Sequence, residues 1–171
     1  MPINHPDMLL ISMANRLKFK LIKKNQSDIL KEIIMVGIHT GGVWVAQRLH
    51  ALLELTQPLG ELNIAFYRDD FSRIGLHPDV KPSHLPFDIN ERHVILVDDV
   101  LYTGRTIRAA LNELFDYGRP ASVSLMVLVE RNGRELPIQP EVVGCSLCLD
   151  TGKHIKLCGP EPLYLEIRAI T

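Results

Sequence analysis

Three apolar runs constrain this chain more than any other feature. IIMVGI (Ile33–Ile38) and the VILV inside His93–Asp98 are apolar at consecutive positions rather than alternate ones, and SVSLMVLV (Ser122–Val129) is nearly so, interrupted by Ser122 and Ser124. A strand of that kind must be covered on both faces, which is the condition of a parallel sheet flanked by helices. Helical patterns separate the runs. One stripe holds Leu10, Met13, Leu17 and Leu21 and predicts a helix from Asp7 to about Lys24; VWVAQRLHALLEL carries Val45, Leu49 and Leu52 on one side; and Thr106–Tyr117 carries Ile107, Ala110, Leu111 and Leu114. Gly118 and Pro120 stop the last of these. With a further strand at LNIAFY, the order predicts an α/β domain with a mostly parallel sheet.

At 171 residues the chain suits one domain, spanning 1–171. Apolar residues make up 46%, charged residues 23%, and the net charge is -1, so nothing draws the whole molecule to nucleic acid or an anionic membrane. An anion site must therefore be local. No apolar run nears the ~20 residues of a membrane span, and the start of the chain sets Pro2 and Pro6 before its apolar part without a cationic opening. A cytoplasmic address is expected. Arg68–Arg92 holds three prolines, one glycine, mixed charge and no periodicity, the composition of either a functional lid or a disordered segment. Arg16, Lys20, Lys23 and Lys24 share a face of the first helix, readable as a solvated surface or as an RNA or phosphate contact.

Cys145, Cys148, His154 and Cys158 fall in a C-x2-C-x5-H-x3-C pattern close to zinc-knuckle spacing. Residues three apart on a strand point to opposite faces, however, and Ser146-Leu147 lacks a glycine to make the knuckle. Three reduced, partly buried thiols are the expectation, with no caged metal.

The chemistry concentrates in VILVDDVLYTGRT, Val94–Thr106. Ligands of open parallel sheets bind beyond the carboxyl ends of strands, and both this motif and HTGG lie there. Asp98 and Asp99 at a strand end need water, donors or a cation, because a buried unpaired carboxylate costs several kcal/mol. The hydroxyls of a sugar are suitable donors. Thr103, Gly104, Arg105 and Thr106 add consecutive N–H groups, two hydroxyls and a helix N-terminus, which together make a phosphate site. A sugar phosphate spans the two halves. No P-loop and no G-x-G-x-x-G helix opening is present.

VILVDDVLYTGRT resembles the signature of type I phosphoribosyltransferases, which binds 5-phosphoribosyl 1-diphosphate (PRPP). GELNIAFYRDD, LPFDI, GRTIRAALNEL, YGRP and RELPIQPEVVG add a resemblance to the PyrR family, uracil phosphoribosyltransferases that also act as pyrimidine-operon RNA attenuators. The resemblance implies a type I phosphoribosyltransferase fold with a lid at about 68–92 and a small hood at about 142–171. It implies that Asp98 and Asp99 hold the ribose hydroxyls, that Val100, Leu101, Tyr102, Thr103, Gly104, Arg105 and Thr106 form the 5′-phosphate loop, and that Thr40, Gly41 and Gly42 form the pyrophosphate loop. Arg131 and the hood around Ile155 would receive the base.

Purine-salvage relatives carry an aspartate before the Thr-Gly where this chain has Tyr102, which disfavours hypoxanthine and guanine. Most relatives have Thr-Arg-Gly in the pyrophosphate loop. Gly41 replaces that arginine, leaving His39, Arg68, Arg73 or Lys81 as substitutes. The implied reaction joins uracil to PRPP, giving UMP and diphosphate, with magnesium carried on PRPP, in a homo-oligomer of two or more chains. Alternatives are an RNA attenuator that senses PRPP or nucleotides with little catalysis, and a phosphoribosyltransferase for another base. For RNA, Arg16, Lys20, Lys23 and Arg134 are the contacts to test against pyrimidine-operon leader RNA, although no aromatic-rich stacking platform is evident.

Overall fold

The computed structural model describes residues 6–23, 30–64 and 82–169. In chain order the elements are α1 (Pro6–Lys23), β1 (Ile34–Ile38), α2 (Gly41–Leu53), β2 (Gly60–Leu62), β3 (His93–Leu101), α3 (Arg105–Asp116), β4 (Ser122–Arg131), β5 (Val142–Leu147), β6 (Lys153–Cys158) and β7 (Tyr164–Ala169). Five strands form one sheet in the order β2-β1-β3-β4-β5, every pair parallel. The hairpin β6–β7 is a separate antiparallel pair.

The continuous apolar runs behave as their composition requires. Along β1 and β3, Met35, Ile95 and Val97 enter a core with α1 and α2, while Ile34, Val36, Ile38, Val94 and Leu96 enter a second core with Ile107, Ala110 and Leu114 of α3. Alternate side chains thus leave the sheet on opposite faces, and both faces are covered. The hairpin closes the first core through Ile155, Leu157 and Leu165.

Several expected boundaries move. The helix after HTGG starts at Gly41 rather than Val43, so both glycines lie in its first turn. The strand expected at LNIAFY shares only Leu62 with β2, which starts two residues earlier at Gly60; Ile64 is buried outside it, and Ala65–Tyr67 lie outside the described residues. β3 runs three residues past Asp98, so Val100 and Leu101 belong to the strand. The expected hood begins too early: Val142–Leu147 completes the main sheet, because its edge pairs with β4.

Of the expected lid, Arg68, Arg73 and Lys81 lie outside the described residues, as does Lys24 of the basic face. Its C-terminal part is packed. His84 exchanges backbone hydrogen bonds with Glu61 at 2.7 and 2.8 Å, and Leu85 and Phe87 lie against the second core. Among the described residues no helix is long and apolar enough to cross a membrane.

Candidate functional site

A strand order of 2-1-3-4-5 reverses direction between β1 and β3, and a crevice opens at such a reversal beyond the carboxyl ends of the strands. The two adjacent strands each lead straight into a helix. α2 starts three residues after β1, and α3 four residues after β3. Neither N-cap residue, Thr40 or Gly104, makes a side-chain cap hydrogen bond, although the Arg105 N–H donates to Thr103 Oγ1 at 3.3 Å. First-turn N–H groups without intrahelical partners, with a partial charge of roughly +0.5 at each end, therefore face the same crevice.

Between the two termini stand the carboxylates. Asp98 is 2% exposed and its Oδ1 accepts the N–H of Asp99 at 3.0 Å. Asp99 is half-buried and touches the β1–α2 loop: a Cβ built on Gly41 would lie 2.4 Å from Asp99 Oδ2, and one on Gly42 would lie 2.6 Å from the Val97 carbonyl. Glycine at both positions is what lets the α2 N-terminus close onto the end of β3. The arginine expected at position 41 has no room beside Asp99 as it stands.

His39 lies just ahead of this loop. Its Nε2 meets Glu61 Oε2 at 2.8 Å, and its N–H donates to the Leu62 carbonyl at 2.8 Å. Sequence reasoning missed Glu61, because nothing in GELN marks a partner for a histidine more than twenty residues earlier.

The phosphate loop divides differently from the expectation. Val100 packs on one core and Leu101 on the other, leaving Tyr102–Thr106 as loop and helix start. Gly104 has φ +96°, a left-handed conformation that side chains rarely adopt. The segment after β4 braces this loop. Glu135 and Leu136 donate backbone N–H groups to the Thr103 carbonyl at 3.0 and 3.1 Å, and Glu135 Oε2 pairs with Arg105 at 2.8 Å.

Arg134 is the keystone of that brace. Its Nε donates to the Tyr102 carbonyl at 2.9 Å, its Nη1 to the Ile138 carbonyl, and its Nη2 to Glu130 Oε1 at 2.9 Å. All three nitrogens of its guanidinium are thus engaged within the chain. Gly133, at φ +110°, lets Tyr102 approach; a Cβ there would meet the ring at 2.4 Å. The clue missed in the sequence was the position of NGREL directly after a strand that neighbours the phosphate strand.

Arg131 ends β4 with its guanidinium 4.1 Å from the Tyr102 ring centroid and its Nη1 donating to the Lys153 carbonyl at 3.0 Å. It joins the phosphate loop to the hairpin, and its buried Nε has no hydrogen-bond partner among the described residues. Ile155 is 6% exposed with its side chain in the first core, so any contact it makes in the crevice falls to its backbone.

The hairpin carries its own ion pairs. Hydrogen bonding to Lys153, reinforced by its charge, holds the Asp150 carboxyl below its ordinary range, and Arg168 does the same for Glu166. Burial raises the Cys145 thiol. All three cysteines are free, and Cys148 is exposed rather than partly buried because it follows the end of β5.

Of the basic face on α1, Arg16 donates to the Val143 carbonyl, Lys20 pairs with Glu141 at 2.8 Å, and Lys23 lies 4.9 Å from the Phe19 ring centroid. Among the described residues no three His, Cys, Asp or Glu side chains converge as a metal cage. The carboxylate pair suits a magnesium ion that keeps waters and takes its other ligands from substrate phosphates.

Comparison with known proteins shows the family and the fold. The phosphoribosyl transferase domain family matches residues 7–164. A Bifunctional protein PyrR from Pseudomonas syringae pv. tomato is 54% identical over 171 residues, covering 100% of this chain and 98% of its own length. Another of that name, from Nitrosococcus oceani, is 66% identical over 138 residues, covering 80% of this chain and 78% of its own. A solved hypoxanthine-guanine phosphoribosyltransferase from Bacillus anthracis superposes with TM-score 0.65 at 15% identity, covering 86% of this chain and 82% of that one. At that identity the likeness is one of fold.

Proposed function

The chain belongs to the phosphoribosyl transferase family, alongside proteins named Bifunctional protein PyrR, and from that premise we propose that it transfers a phosphoribosyl group from PRPP to uracil, giving UMP and diphosphate. One observation carries the reading: two helix N-termini whose N-cap residues make no side-chain cap flank a carboxylate pair at the switch point of the sheet. PRPP has the matching order of groups, a phosphate, a diol and a diphosphate. The α3 N-terminus with Thr103–Thr106 takes the 5′-phosphate, Asp98 and Asp99 take the ribose hydroxyls, and Thr40–Gly42 at the α2 N-terminus take the diphosphate.

In this reading uracil attacks C1′ as diphosphate departs, and the chain contributes chiefly position and electrostatics. Backbone N–H groups of the α2 first turn meet the charge that grows on the leaving oxygens. Asp98, buried and tied to the Asp99 N–H, fixes the sugar. Magnesium, carried on PRPP, supplies further neutralisation of the leaving group when bound. Tyr102 stands where purine-specific relatives carry a carboxylate, and the Arg131 guanidinium lies over its ring, 4.1 Å from the centroid. Uracil would then be read by backbone groups near Ile155, with the 68–92 segment excluding water.

Transfer of radiolabelled uracil from PRPP in magnesium buffer, run beside a panel of purine and pyrimidine bases, tests the assignment. UMP formation in preference to every other product is the expected result. A protein that turns over no base yet binds leader RNA tightly at a fixed physiological salt would instead support the attenuator reading. Arg16, Lys20 and Arg134 donate to their own chain, which favours catalysis over RNA binding through those three side chains.

A further inference from the structure

The chain leaves the main sheet at the end of β5 and enters the β6–β7 hairpin through residues 148–152. Two consecutive residues at the end of β4 hold this link near both of its ends. Arg131 donates from Nη1 to the Lys153 carbonyl at 3.0 Å, where β6 begins. Asn132 holds the other end: its Nδ2 donates to the Leu149 carbonyl at 3.2 Å, its Oδ1 accepts the Leu149 N–H at 2.9 Å, and its own N–H donates to the Leu147 carbonyl at 3.2 Å. The register of β4 with β5 stops at Arg131 and Leu147. The Asn132 carboxamide therefore adds one further rung to the ladder, with a side chain in place of a strand.

The chemistry of that rung is particular to an amide. Both backbone groups of Leu149 are satisfied by one side chain, which needs a donor and an acceptor together; a carboxylate lacks the donor and alanine lacks both. Between its held ends the link is closed on itself. The Lys153 N–H donates to the Asp150 carbonyl at 3.1 Å, Lys153 Nζ pairs with Asp150 Oδ2 at 2.6 Å, and Gly152 turns the chain at φ +87°. Leu157, Leu163 and Leu165 then pack the hairpin onto the first core, but apolar packing has no direction of its own. Past the end of β6, Arg48 of α2 pairs with Glu161, and both side chains are exposed, so that pair contributes little. The directional hold on the hairpin thus lies at the end of β4.

We propose that Asn132 is a positioning residue for the base. By holding Leu149 it sets where the β6 backbone near Ile155 stands over the crevice, while the sugar and the phosphates are left to Asp98, Asp99 and the two helix N-termini. The inference rests on the uracil-transfer reading above. Arg131 serves both halves of the site, because its guanidinium also lies over the Tyr102 ring of the phosphate loop. Asn132 bonds to Leu147 and Leu149, so its replacement addresses the hairpin and leaves the phosphate loop as it is.

Steady-state uracil transfer with each substrate varied in turn, together with amide hydrogen exchange read by mass spectrometry, tests the assignment on the full chain. In Asn132→Ala the KM for uracil should rise about fivefold or more, the scale of one or two lost neutral hydrogen bonds. The KM for PRPP should stay within about twofold of wild type, a split that general loosening of the fold would not produce. Asn132→Asp keeps an acceptor for the Leu149 N–H while setting a carboxylate against the Leu149 carbonyl, and should show the same split. Exchange over residues 149–157 should quicken in both variants, with α3 exchanging as in wild type. Glu161→Gln, which removes the exposed pair with Arg48, should leave both KM values unchanged. An unaltered uracil KM in both Asn132 variants, an equal rise in the two KM values, unaltered exchange over residues 149–157, or a Glu161→Gln protein that matches Asn132→Ala would each overturn the assignment and leave the uracil-transfer reading standing. A wild type that transfers no base would overturn the two together.

Discussion

Replacing Gly41 with alanine separates the site from the fold. Gly41 opens α2, and its backbone φ lies outside the left-handed region, so alanine is locally compatible and brings a gain of roughly 0.5–1 kcal/mol in helix propensity. The obstacle is Asp99. The new Cβ would lie 2.4 Å from Oδ2 and 2.5 Å from Cγ, distances that real Cβ atoms do not show, so the carboxylate must swing aside. A carboxylate displaced in this way loses its aim at a ribose hydroxyl. A charge-assisted hydrogen bond contributes roughly 1.5–3 kcal/mol, which corresponds to a loss of about 10- to 150-fold in PRPP affinity. The assays are steady-state uracil transfer with PRPP varied, and a thermal melt of the same preparations. The expected outcome is a raised KM for PRPP with a melting temperature unchanged or slightly higher. Unchanged PRPP kinetics in a folded Gly41→Ala protein would refute the assignment of Asp99 to the sugar.

Other perturbations probe the loop, the brace and the hairpin. Gly104→Ala forces a side chain into φ +96°, so it should cost about 1–2 kcal/mol of stability and weaken UMP binding, read by calorimetry. Arg134→Met removes the donor to the Tyr102 carbonyl and leaves Glu130 without that partner; UMP affinity should fall even in the absence of RNA, as titration calorimetry would show. Asp150 and Glu166 titrate lower in the folded hairpin than in the unfolded chain, so their contribution is present above the ordinary carboxylate range and lost as pH falls through their folded values. Melts of Asp150→Asn and Glu166→Gln between pH 6 and about 3 should accordingly be less acid-sensitive than wild type. Limited alkylation followed by mass spectrometry should label exposed Cys148 before Cys145, whose thiol is raised by burial.

The sequence by itself determined the fold class, because a strand apolar on both faces is stable only between two layers, and three such runs alternating with helical stripes leave little choice. It determined the local chemistry as well: two carboxylates followed, after Val100-Leu101-Tyr102, by Thr-Gly-Arg-Thr place acceptors and N–H donors within nine residues of one strand–helix junction. Tertiary structure alone decided how far each element runs and who braces whom. Val100 and Leu101 read as loop by motif but are strand, because β4 continues beside them and offers backbone partners. Arg134 reads as a free cation by composition, yet its guanidinium is turned onto the phosphate loop, a contact 32 residues apart in the chain. Gly41 reads as a missing arginine until the sheet brings Asp99 against it from 58 residues away. Local periodicity records what a residue needs from its environment. Only the closed sheet fixes which distant side chain supplies it, because strand order is set by the packing of both layers at once.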